Sequence, residues 1–220
     1  MKQLLSYLQQ ELPAALQLLE KMVNMESPST DKPLVDRFAR FVGSEFKAIG
    51  GAVDYVPAER FGDHLRVRFE GKSGDRILLL GHSDTVFPVG EVAKRPFRIQ
   101  DGRATGPGVF DMKAGILLMW SALRGLLHIE KRLAHSITVL LTSDEEVGSA
   151  ASRALLESEA GSAKAVPNSF LAARPWPCGP MAVRIQINSS SPKKTKRVSS
   201  NFEKRCSPRT ESATEQSTIS

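Results

Sequence analysis

His82-Ser83-Asp84 is the first of three short segments whose residue types and spacing could do chemistry. On extended backbone, residues i and i+2 point the same way. Asp84 can therefore accept a hydrogen bond from one imidazole nitrogen of His82 while the other nitrogen binds a metal. A strand-end histidine paired locally would have the same spelling. The second segment is Gly106-Pro107-Gly108-Val109-Phe110-Asp111-Met112-Lys113. Its glycines permit a tight backbone, and Asp111 falls where a loop becomes a helix, so its carboxylate could bridge two cations or simply cap the helix. The third is Ser143-Asp144-Glu145-Glu146-Val147-Gly148-Ser149. Adjacent carboxylates on extended backbone point in opposite directions, so one glutamate can bind a metal while the other stays free as a general base. A solvated acidic turn feeding a helix N-terminus is the plain alternative.

The elements around these segments place them at strand ends. Leu4, Leu5, Leu8, Leu12, Ala15, Leu16, Leu19, Met22 and Val23 recur at helical spacing and predict a first amphipathic helix. Ser29-Thr30-Asp31 offers N-cap candidates for a second helix, with Pro33 near its first turn and Gly50-Gly51 closing it. Two alternating stretches, Ala52 to Val56 and Leu65 to Phe69, suit strands with one wet face. Arg76 to Leu80 and Ser136 to Leu141 are apolar enough to be strands buried on both faces, and a helical stripe from about Met112 to His128 lies between them. Strand, helix, strand predicts a crossover unit and an α/β fold with a largely parallel mixed sheet flanked by helices. Reactive groups in such sheets gather at the carboxyl ends of the strands, which is where His82 and the Glu145-Glu146 pair fall.

Composition narrows the class. No apolar run reaches the eighteen or so residues a membrane span requires, and the N-terminus has no uninterrupted apolar stretch of the kind a signal peptide carries, so a cytoplasmic protein is expected. Cys178 and Cys206 are the only cysteines, which excludes a disulfide framework and a thiolate metal site; any metal must sit on oxygen and imidazole nitrogen. The net charge of +6 resides in the tail: residues 1–166 carry 21 basic and 21 acidic side chains, residues 167–220 carry 9 and 3. From Pro167 onward periodicity gives way to Ser, Pro, Lys and Arg, the composition of a disordered segment, with one short strand expected within Met181 to Ile187. A basic but aromatic-poor tail binds phosphate only diffusely, so nucleic acid is not the expected partner.

The three segments, in this order and each beside a strand end or helix start, resemble the M20 metallopeptidase family. The resemblance runs from about Leu4 to Ala165. Its most specific stretches are Gly81-His82-Ser83-Asp84-Thr85-Val86-Phe87-Pro88, Arg95-Pro96-Phe97, Gly106-Pro107-Gly108 with Asp111-Met112-Lys113, and Ser143 to Ser149. The wording after His82 is most similar to the glutamate carboxypeptidase branch. What the resemblance implies is a two-zinc amidohydrolase acting on a peptide or N-acyl amino acid. His82 would bind one zinc, Asp111 bridge two and Glu146 bind the other; Asp84 would orient His82, and Glu145 would be the general base. It also implies a cis peptide after Asp111.

The family's remaining ligands are an acidic residue on the strand after the Glu-Glu loop and a histidine beyond an inserted lid and dimerisation domain. Glu157 and Glu159 fall on the helix after Ser149, and no histidine follows His135. The expectation is therefore a truncated catalytic domain over residues 1–166, without the lid and the family's dimer interface and with an incomplete zinc site. Residues 167–220 would be foreign to the family, as a frameshift would make them. His64, His128 and His135 have no partner motif and are expected to be surface or structural residues.

Overall fold

The leucine stripe near the N-terminus winds into α1 (Lys2–Asn24) in the computed structural model, which describes residues 2–166 and the backbone of Val183–Arg184. Only the half of α1 beyond Pro13 is sunk in the core, through Ala15, Leu18, Leu19, Met22 and Val23, whereas Leu5 remains 40% exposed. Asp31 is the cap of α2 (Lys32–Ala48): its carboxylate accepts the Leu34 amide at 3.1 Å, Pro33 sits in the first turn, and Gly50 at φ +95° ends the run. Val35, Phe38, Val42 and Phe46 on one face of α2 are fully buried. Each such side chain contributes about 1.5–3 kcal/mol by leaving water.

The strands β1 (Ala52–Val56), β2 (His64–Phe69) and β3 (Gly71–His82) follow. Next come the single-turn α3 (Glu91–Lys94), a hairpin of β4 (Arg98–Gln100) and β5 (Arg103–Thr105), and a wide turn at Val109–Lys113. The turn opens directly into α4 (Ala114–Glu130), which leads to β6 (Leu133–Thr142). A 3-10 turn at Glu145–Val147 and α5 (Arg153–Gly161) complete the continuous part, and β7 (Val183–Arg184) pairs with β5 inside the strand expected at Met181 to Ile187. The rest of the expected basic tail, 167–220, lies outside the described residues.

The main sheet has the order β1-β2-β6-β3. It is the expected mixed α/β sheet flanked by helices, but its parallel part is narrower than the strand-helix-strand pattern predicts. Only β3 and β6, joined through α4, run parallel, with a further parallel bridge from Ile77 to Ala165. β1 and β2 enter antiparallel, since the short connection between them allows a hairpin but no crossover. β3 also begins five residues earlier than its apolar run, because Gly71 and Ser73 pair with Leu133 and His135 across an irregularity between Ser73 and Arg76, and Ser136 Oγ accepts the Gly71 amide at 3.0 Å.

Leu65, Val67 and Phe69 of β2 face the core under α2, and the alternate residue Arg66 points to the opposite face. There Glu159 of α5 takes hydrogen bonds from Arg66 at 2.8 Å and Arg76 at 2.5 Å, which ties α5 down by an ion network. The register aligns His82 with Thr142, so the loops leaving β3 and β6 emerge side by side. Because β2 runs the other way, its first residue, His64, lies at that same edge. Among the described residues no helix is long and apolar enough to cross a membrane.

Candidate metal centre

His82 ends β3 fully shielded from solvent, with its ring held at both nitrogens. Nδ1 lies 3.0 Å from the Asp84 carbonyl oxygen and 3.3 Å from Asp84 Oδ1; Nε2 lies 2.9 Å from Asp111 Oδ1 and 3.9 Å from Glu145 Oε2. The strand reaches this point through a close approach of Met112 to Gly81. A Cβ on Gly81 would stand 2.8 Å from Met112 Cε and 3.0 Å from Leu141 Cδ2, and the Met112 sulfur accepts the His82 amide at 3.1 Å. The loop containing Asp111 is therefore pressed against the end of β3 by its own next residue.

Asp111 lies inside the wide turn with non-helical backbone, and the Asp111–Met112 peptide is cis. Its carboxylate caps no helix; it is about half exposed and directed at His82. Gly108, at φ +71°, starts this turn in a conformation glycine adopts at no steric cost. Lys113 anchors the far end: its Nζ donates to the Met25 carbonyl at 2.7 Å and lies 4.7 Å from the centre of the Phe38 ring. Burial pushes this amine down to about 7, with Glu26 opposing the shift.

Glu145 and Glu146 do not lie on extended backbone. They form the 3-10 turn, which brings both carboxylates toward His82, so that ligand atoms of His82, Glu145 and Glu146 all fall within 4.8 Å of one another. The extended backbone expected for the pair is therefore replaced by a tight turn, and both glutamates face the same space. Asp111 joins this group through its contact with the His82 ring. Asp84 is set behind them as a buried acceptor. Its Oδ2 accepts from Ser29 Oγ at 2.7 Å and from the Glu146 amide at 3.2 Å, and its Oδ1 from the Glu145 amide at 3.3 Å. Asp84 thus orients the His82 ring and both backbone amides of the glutamate turn. Asp144 closes the loop beyond, accepting the Ala151 and Ser152 amides at 2.7 and 3.1 Å.

The titration behaviour follows from crowding acids together. Burial pushes Glu146 up to about 7, with Asp111, Glu145 and Asp84 adding to the effect and His82 opposing it; Glu145 is raised for the same reasons. Burial disfavours a charged His82, yet hydrogen bonds and charges from Asp111 and Asp84 outweigh it and raise the imidazole to about 10. Burial likewise works against the Asp84 charge, and hydrogen bonds from His82 and Ser29 overcome it, so Asp84 is held below the usual carboxylate range. Protons are retained where negative charge is in excess, the condition that a bound divalent cation would relieve. Oxygen and imidazole donors in this number suit zinc and neighbouring divalent metals.

Three supporting residues are not apparent from the sequence motifs. Ser29, expected as a cap candidate, instead holds Asp84 from 55 positions away. Lys113 stands inside the motif, but its burial has no sequence signal. His64 is fully enclosed and bonded to Ser143, a structural position as expected, although next to the site rather than remote from it.

The model of peptidase family M20/M25/M40 matches residues 78–203. Carboxypeptidase G2 from Pseudomonas sp. (strain RS-16) is 36% identical over 152 residues, covering 68% of this chain and 37% of that protein. An acetylornithine deacetylase from Vibrio campbellii is 29% identical over 143 residues, again covering 37% of the relative. The chain thus spans little more than a third of the length of these curated relatives. Human carnosine dipeptidase 1 has the same fold, with a TM-score of 0.66 at 19% identity over 75% of this chain and 40% of that one. The dipeptidase Dug1p of Saccharomyces cerevisiae gives 0.62 at 20% identity, with the same coverage of each chain. With the family model matching more than half of its residues and the histidine, aspartate and paired glutamates meeting at one sheet edge, this chain belongs to peptidase family M20/M25/M40.

Proposed function

We propose that residues 1–166 are the N-terminal part of a zinc-dependent amidohydrolase catalytic domain, which cleaves an amide next to a free carboxylate in a peptide or N-acyl amino acid. The observation that carries this reading is the convergence of His82, Asp111, Glu145 and Glu146 on one space, with Asp84 buried behind them. His82 and Asp111 would hold one cation, and Asp111 and Glu146 the second. Zinc bound there supplies Lewis acidity, lowering the pKa of a water and polarising the amide carbonyl. Asp84 keeps the His82 ring turned so that Nε2 faces the cation position. Glu145, whose carboxyl burial pushes above its ordinary value, takes a proton from the attacking water and passes it to the leaving amine nitrogen. The likeness to carboxypeptidase G2 supports an acyl-glutamate as the first substrate to assay.

A second reading is a fold that binds metal weakly and does not turn over. It is favoured by the described residues supplying His82 and Glu146 as one terminal ligand for each cation. Glu145→Gln separates the two. Hydrolysis of an acyl-glutamate by the full chain, lost at least a thousandfold in E145Q with zinc uptake retained, supports the enzyme; zinc uptake without hydrolysis in the parent chain supports the weak-binding fold.

A further inference from the structure

His64 is fully buried at the start of β2, at the sheet edge from which the β3 and β6 loops leave. The ladder between β2 and β6 has its last paired positions at Leu65 and Leu141. One step on, the His64 ring replaces the backbone as acceptor: the Ser143 amide donates to His64 Nδ1 at 3.2 Å. The Ser143 hydroxyl lies 3.0 Å from the same nitrogen and donates to the Gly62 carbonyl. Ser143 is itself fully buried, so no solvent reaches this amide. An N–H aimed at Nδ1 requires that nitrogen to carry a lone pair, which puts the ring in its neutral form with the proton on Nε2. Burial works in the same direction, depressing the imidazole despite the charges of Asp144, Asp63 and Asp84.

We infer that His64 is a positioning residue for the glutamate turn: its Nδ1 fixes the end of β6 at Ser143, so that the next residues bring the Glu145 and Glu146 amides onto Asp84 and their carboxylates beside His82. The chain from the fixed point to Glu145 is two residues, too short to absorb a shift of Ser143 without moving the turn. The inference rests on the reading of Glu145 and Glu146 as groups of the cation site. It goes beyond that reading by assigning a role to a histidine outside the group His82, Glu145 and Glu146.

The test compares His64→Leu, which keeps bulk and removes the acceptor, with His64→Asn, whose side-chain oxygen can occupy the place of Nδ1. In the full-length chain, amide hydrogen exchange at Glu145 and Glu146 should speed up at least tenfold in H64L, while Val139 and Leu140 in the middle of β6 keep their protection. H64N should restore both glutamate amides to within about threefold of the parent. Zinc affinity should follow the same order, falling at least tenfold in H64L and recovering in H64N. Unchanged exchange at Glu145 and Glu146 in H64L, or equal loss in H64L and H64N, would overturn the inference. If H64L does not fold, the nitrogen-15 shifts of the parent His64 ring still decide: an unprotonated Nδ1 supports the inference and a protonated one sinks it. Absence of zinc binding in the parent chain would count against the proposed function alone, since the exchange and ring measurements do not involve metal.

Discussion

Replacing Ser29 by alanine removes the shortest hydrogen bond to Asp84, and its effect can be worked out from the geometry. Ser29 Oγ donates to Asp84 Oδ2 at 2.7 Å, with Ser29 4% exposed and the Asp84 side chain wholly shielded. A hydrogen bond to a buried charged acceptor contributes about 1.5–3 kcal/mol, and at this exposure bulk water does not take over from the lost hydroxyl. Asp84 retains the two glutamate-turn amides at 3.2 and 3.3 Å and the His82 ring at 3.3 Å, so the site is weakened rather than dismantled. We expect the metal-free S29A chain to lose about 2 kcal/mol in urea denaturation. Zinc affinity should drop by about tenfold, the low end of the range found when a group orienting a metal ligand is removed, because Ser29 acts one step behind Asp84. The assay pairs a denaturation curve with a calorimetric zinc titration. A variant whose unfolding free energy stays within about 0.5 kcal/mol and whose Kd stays within about twofold of the parent would refute the claim that Asp84 is held in place by Ser29.

Two further outcomes follow from the packing. Glu159→Gln should destabilise the fold by about 2–3 kcal/mol at pH 7, less than the loss of a fully buried partner, because Arg66 and Arg76 are about one-fifth exposed. Burial raises the Glu159 carboxyl, but hydrogen bonds from Arg66 and Arg76 outweigh it and hold it below the ordinary glutamate value. Its contribution is thus present above about pH 4.3 and disappears as pH falls through the folded value, and the acid side of the stability profile should be flatter in E159Q. Gly81→Ala should cost about 1–3 kcal/mol, since its Cβ would meet Met112 and Leu141 in a filled core, and circular dichroism melting would register the loss.

Periodicity made most of the fold legible. The stripes of α1, α2 and α4 and the apolar runs of β3 and β6 each correspond to an element, because burial on one face or on both leaves a pattern in the residues themselves. The three chemical segments were legible for a related reason: His82, Asp111 and the Glu145-Glu146 pair each lie at an element end that the pattern locates. Strand direction was not. The short β1–β2 connection implies a hairpin, but Leu65 to Phe69 alternate identically whether β2 runs parallel or antiparallel to β6, so the direction of that hairpin against β6 had no signal. The 3-10 turn also left no trace, since two adjacent glutamates read alike on straight or tightly wound backbone, and the turn sends both carboxylates to one side. Ser29 and His64 escaped because each acts on a residue 55 or more positions away, a relation that exists only after the sheet has assembled.

The central claim is that His82, Asp111, Glu145 and Glu146 form a divalent-cation site, and calorimetric titration of the full chain with zinc tests it most directly. The account predicts saturable uptake in the parent chain, and affinity at least a hundredfold lower in His82→Ala with the fold retained by circular dichroism. Absence of uptake, or uptake that His82→Ala leaves unchanged, would contradict it.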